Sequence, residues 1–171
     1  MSIPTNGLAE GLTAGTYSRD MTTDRLPTGP DPEAIKRTIL ETWPETDLAE
    51  AMGAMFFSLD PDKHFPNFAT IVTTDEHDVG APSDLTRPGL FRLNIGVGRQ
   101  TFERLVGSIG EPDYAAVDTV FPHPVYARQL WISIINPSDE TFRDTVVPLL
   151  TEAHDRLAAA RTRHDAGDAT S

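Results

Sequence analysis

Four polar side chains have the types and the spacing to do chemistry together. Arg92 and Asn94 stand two residues apart in RPGLFRLNIGVGRQTFERLV, residues 87–106. There Phe91, Leu93, Ile95 and Val97 alternate with Arg92, Asn94 and Gly96. A period of two describes a half-buried strand, so Arg92 and Asn94 lie on the face opposite the apolar residues. His123 and Tyr126 lie in TVFPHPVY, residues 119–126, whose two alternate prolines permit only an edge strand or an extended loop. Where that segment borders the polar face, an Arg, an Asn, a His and a Tyr converge. Arginine holds an anion and histidine moves a proton near neutral pH, which is the equipment of a sensor or an enzyme. The opposing and leading reading is a hydrogen-bonded cluster that fixes the edge segment, since buried polar groups usually have structural partners.

Other arrangements offer less. Asp60, Asp62 and His64 alternate, and Glu76 and Asp78 flank His77. Oxygen and imidazole ligands of this kind suit a metal. The first group sits at a hairpin turn, and the second lies past the far end of the returning strand. A seven-residue strand spans roughly 23 Å, so the two cannot share one ion. Each alone has too few ligands, and both are expected to be solvated turns. Gly96-Val97-Gly98 precedes a helical stretch, and a glycine turn at a helix N-terminus is a place for an anion. It lacks the third glycine and the βαβ context of a dinucleotide fold. The glycines are expected to supply a positive φ between strand and helix. No G-x-S-x-G occurs, and no serine has a neighbouring histidine. Neither a metal nor a cofactor is expected.

The chain of 171 residues is long enough for one domain with a real core. It has no cysteine, which excludes disulfides, zinc–thiolate sites and a cysteine nucleophile. No apolar run reaches the roughly 18 residues of a membrane span. The N-terminus has no basic region followed by an apolar core, so a cytoplasmic protein is expected. The formal charge is −12, and most of it belongs to residues 31–163, with 21 acids against 12 bases. Such a surface repels phosphate backbones, and no nucleic-acid partner is expected.

The elements that must position the polar cluster follow from the pattern. Residues 1–30, rich in Gly, Thr, Ser and Pro, read as a mobile tail. Asp31-Pro32 reads as a cap and first helical position, with Ile35, Ile39, Leu40 and Trp43 on one helical face over residues 32–43. Residues 46–53 fit a strand or a loop equally. MFFSL (55–59) and FATIVTT (68–74) read as two strands of a hairpin, and residues 75–87 as a loop. A short helix carries Phe102, Leu105 and Val106. LWISII (130–135) is a strand, Ser138 a helix cap, and the last helix runs to about residue 161. Pro148 either starts that helix near Val147 or kinks its first turn. Phe91, Leu93 and Ile95 are expected to be buried beside Trp131, Ile35 and Leu150. The domain is expected over 31–162, with a frayed C-terminal tail over 163–171.

RPGLFRLNIGVGRQTF, FPHPVYARQLWISIINPS and FATIVT resemble a bacterial family known only as domain of unknown function 6194, over about residues 33–160. One departure is Ser58-Leu59, where the family usually shows a polar or aromatic pair. The element order also resembles the YjbR/MmcQ group, a small α+β double-wing fold with a tryptophan-bearing strand and a closing helix. Neither resemblance implies an activity. Together they imply a single α+β domain, with a mainly antiparallel sheet of about five strands packed by an N-terminal, a short middle and a C-terminal helix. The leading functional reading is a non-catalytic binding or interaction module, a monomer or weak homodimer, whose partner is an unknown small molecule or protein. The alternative is a small-molecule sensor or enzyme using Arg92, Asn94, His123 and Tyr126 on the sheet face.

Overall fold

Asp31 opens the first helix as its spacing predicts: its Oδ1 accepts from the Ala34 amide at 2.8 Å, and α1 spans Pro32–Thr42. The computed structural model describes residues 25–60, 62 and 66–169 of the chain. After α1 come β1 (Asp47–Ala51), β2 (Ala54–Ser58), β3 (Asn67–Val72) and β4 (Arg92–Gly96). Then follow α2 (Arg99–Val106), β5 (Val120–Pro122), β6 (Trp131–Ile135) and the long closing helix α3 (Val147–Asp168). The six strands form one sheet in the order β1-β2-β3-β4-β6-β5, with every pair antiparallel. This is the expected single α+β domain with three helices. It has six strands rather than five, because residues 47–51 resolve as a strand once β2 is beside them.

The helices cover one face of the sheet. Leu93 and Ile95 of β4, Ile132 and Ile134 of β6 and Ile71 of β3 join Ile35, Ile39, Val106, Val146, Leu149, Leu150 and Ala153 in one buried cluster. Register fixes this choice of face, since a one-residue slip would exchange Leu93 for Arg92. Trp131 departs from the expectation. It pairs with Gly96 and shares the parity of Ser133 and Ile135, so it lies on the opposite face from Leu93. Its ring sits on Gly96, where a Cβ would come within 3.2 Å of it. The β2–β3 register shifts between Phe57 and Ser58, and this bulge turns Phe68 into the helical-side core.

The other face is covered by chain without regular structure. After a turn of 3₁₀ helix at Asp75–His77, the stretch to Leu90 folds as successive turns. Asp78, Ala81, Asp84, Arg87 and Leu90 each donate their amide to the carbonyl three residues back. This cover delivers Leu85 and Leu90 onto Ala54, Val72, Phe121 and Ile135, a second apolar cluster. The face expected to be polar and half-open is therefore closed.

One terminal expectation changes. The helix does not stop near residue 161 but runs through Asp168, since Ala158, Ala159 and Ala160 favour continued helix in solvent. Pro148 marks its first turn, preceded by a single α-helical turn at Asp139–Thr141, capped by Ser138, and a π-helical turn at Phe142–Val146. The missing proline amide explains why the regular ladder restarts there. Most of the expected N-terminal tail, residues 1–24, lies outside the described residues. Within the described part, the Thr28 carbonyl accepts from the Asp139 amide at 2.8 Å, and Gly29 is packed against the Pro137 backbone.

Leu93→Ala should cost about 2–5 kcal/mol of unfolding free energy, as expected for a large side chain deleted from a closed core. Urea denaturation measures it, and a loss below about 1 kcal/mol would contradict the register.

Candidate functional site

β4 places Arg92 and Asn94 on the loop-covered face, between Val72 and Thr70 of β3 on one side and Ile135 and Ser133 of β6 on the other. Both are buried, at 1% and 2% exposure. The Arg92 Nε donates to Asn94 Oδ1 at 2.9 Å. Its Nη1 donates to Asp78 Oδ1 and, at 2.7 Å, to Ser83 Oγ. Asn94 Oδ1 also accepts from Ser133 Oγ at 2.7 Å, and Asn94 Nδ2 donates to Thr70 Oγ1 at 3.0 Å. Asp78 Oδ2 accepts the Ser83 amide at 2.9 Å. Three strands and the covering loop thus share one network. Asp78, expected in a solvated acidic turn, is fully buried as the counter-ion of Arg92. A guanidinium confined in an apolar layer requires an anion there, and the loop supplies it.

His123 follows β5 on the same face, where its amide donates to the Trp131 carbonyl at 3.0 Å. Its ring is buried, and Nδ1 accepts from the amides of Val125 and Tyr126 at 3.0 and 3.1 Å. The proton of the neutral ring therefore sits on Nε2. Burial, helped by the Arg92 charge and opposed by Asp78, lowers its pKa to about 4. Such a ring is neutral at physiological pH and is occupied in holding a turn. Tyr126 is different. It is 52% exposed, with its ring 4.9 Å from that of His123. The structure brings Arg92 and Asn94 into contact, sets His123 farther along the same face, and leaves Tyr126 at the surface.

The anion place at the start of α2 is filled by the chain itself. Glu152 Oε1 accepts the Gly98 amide at 2.7 Å, and Oε2 accepts from Thr101 Oγ1 at 2.8 Å. Neither glycine of the turn has a positive φ; Gly98 is extended at φ −76°. The expectation of a positive φ is thus replaced by close approach. A Cβ at Gly98 would lie 3.0 Å from both Glu152 and Arg156, and one at Gly96 would meet the Trp131 ring.

No group of three His, Cys, Asp or Glu side chains placed to hold a metal occurs among the described residues. His64 lies outside them. Sequence reasoning missed Asp78 and Ser83 as partners of Arg92, and no spacing signals them. Ser133 had a signal, because it interrupts the apolar run of β6 at the parity of the polar face. His154 is a second buried histidine without a sequence sign. Its ring stacks on Trp43 at 4.9 Å, with Nε2 2.7 Å from Glu45 and Nδ1 3.0 Å from Asp155. It joins α3 to the connection after α1.

The family of unknown function DUF6194 matches residues 30–167. No curated protein and no solved structure matches the chain, so the double-wing likeness rests on element order alone. No helix among the described residues is long and apolar enough to cross a membrane.

Breaking the buried pair should be severe. Asp78→Ala leaves the guanidinium uncompensated and should cost about 3–5 kcal/mol by urea denaturation, whereas Arg92→Met combined with Asp78→Leu should cost less than the sum of the two single changes. His123 makes stability depend on pH. The folded ring stays neutral down to about pH 4, while the unfolded chain binds a proton near 6.5. The unfolded state gains that proton first, so stability present above pH 6.5 is lost as pH falls towards 4. Between pH 7 and 4.5 the wild type should lose about 2–3 kcal/mol more than His123→Asn, which keeps an acceptor for the two amides. Parallel pH profiles would refute this.

Proposed function

The chain belongs to the family of unknown function DUF6194, and we propose that it is a non-catalytic binding or interaction module, which meets its partner through its surface rather than through a reaction centre. One observation carries this reading. The Arg92–Asn94–His123 part of the polar constellation is enclosed, with Arg92 only 1% exposed and its Nε and Nη1 donating to Asn94, Asp78 and Ser83. A reaction centre needs room for a substrate beside its polar groups. Here the groups face one another and an apolar cover. His123 lacks the free acceptor of a general base, because Nδ1 takes two backbone amides and Nε2 carries the proton.

In this reading the network is a device for attaching the 75–90 cover to the sheet. The partner is a protein, and the net charge of −12 argues against nucleic acid. A cytoplasmic location is part of the proposal and suits a chain without cysteine.

A thermal-shift screen of metabolites and divalent metals on the full chain tests it. Ligand at a hundred times its Kd adds about 2.7 kcal/mol to the apparent stability. The expected result is no rise in Tm with any small molecule. A reproducible rise with one chemical class, lost in His123→Asn, would overturn the module in favour of the sensor or enzyme.

A further inference from the structure

We infer that the cleft between α2 and the Val125–Leu130 turn docks an acidic, apolar segment of a partner protein; this rests on the module reading above. The cleft holds about 370 Å³, with Phe102 of α2 and Ala127 and Leu130 of the turn as its apolar lining. That is room for one or two side chains. Arg99, Glu103, Gly107 and Arg128 complete the lining, and both arginines are exposed. Arg99 reaches Glu103 only at 3.9 Å, and Arg128 makes no ion pair among the described residues. Val125 and Tyr126, on the same turn, are 45% and 52% exposed. Apolar and aromatic side chains beside arginines are the usual makings of a protein interface.

The turn is built to hold this surface still. His123 Nδ1 takes the amides of Val125 and Tyr126. The Tyr126 carbonyl takes the amides of Gln129 and Trp131 at 3.0 and 3.2 Å. The Leu130 carbonyl takes the Val97 amide at 3.0 Å. Leu130 itself sits in the left-handed region at φ 66°, ψ 35°. A leucine is rare there, and the surrounding hydrogen bonds hold it in that conformation. A wall fixed in advance costs less to order on binding. The PHPVYARQL segment thus has a physical purpose: its buried histidine keeps two large side chains outside.

Charge selects the occupant. The chain carries −12 overall, so an acidic partner is repelled over most of its surface. The cleft is a local exception, since two arginines, Arg99 and Arg128, stand against the single Glu103 beside an apolar floor. A segment that joins carboxylates to leucine or phenylalanine satisfies both requirements, and the opposite charge of Arg99 and Arg128 steers it towards this cleft.

Fluorescence anisotropy of the full chain with a labelled peptide alternating Glu with Leu and Phe tests the assignment. The peptide should bind and weaken with added salt. Affinity should fall at least about tenfold in the Arg99→Glu/Arg128→Glu double variant, and stay near wild type in Arg99→Lys/Arg128→Lys. Both arginines are exposed, and far-UV circular dichroism checks that the charge-reversed chain folds. Control peptides with Lys for Glu, or Ser for Leu and Phe, should bind at least about tenfold more weakly. Failure of the acidic peptide to bind, equal binding of the Lys peptide, or indifference to charge reversal would each overturn the cleft assignment. None of these touches the module reading, which falls only on small-molecule binding in the thermal screen.

Discussion

A guanidinium buried in the middle strand of a sheet imposes the main constraint on this fold. Arg92 cannot leave water unless an anion and further acceptors come with it. Asp78 and Ser83 come from the covering loop, and Asn94 from the same strand. The pair need not stabilise the fold more than apolar residues of the same size would. Its consequence is positional. Only one placement of the 75–90 segment puts Asp78 over Arg92, and that placement also seats Leu85 and Leu90 on Val72 and Ile135. Polar pairing selects the arrangement, and apolar burial supplies the driving force.

The two faces of the sheet are closed by different means. Helices seal one with regular apolar stripes, which period and capping residues specify locally. The other is sealed by turns, whose backbone groups must find partners one at a time. The succession of three-residue turns from Asp75 to Leu90 answers that requirement. Arg87 extends it, donating to the carbonyls of Ser83 and Ala115 and so joining this cover to the segment before β5. Glu152 plays a comparable role on the helical side, where it satisfies the start of α2 from α3.

Arg92, Asn94 and His123 are thus occupied in holding the cover and a turn. Outside, beside α2, the His123-anchored turn forms one wall of a cleft lined by Arg99, Glu103, Arg128 and apolar side chains. The same histidine whose Nδ1 takes two amides holds Val125 and Tyr126 at the surface.

The sequence by itself determined the local periods and their punctuation. Alternation in residues 91–97 specified β4 and which side chains face the helices, Asp31 and Ser138 specified two helix starts, and the prolines around His123 confined β5 to the sheet edge. The convergence of Arg92 with Asn94 was legible too, since residues two apart in a strand share a face. The tertiary structure alone decided what covers that face. Asp78 lies fourteen residues before Arg92 in a stretch without a period, and nothing local tells a buried counter-ion from a solvated acid. Nor does spacing reveal that Trp131 belongs over Gly96, or that the anion at the α2 start is Glu152. Periodicity reports on the chain's own geometry within a few residues, whereas pairing between distant polar groups is set by register and loop path, which exist only once the sheet has assembled.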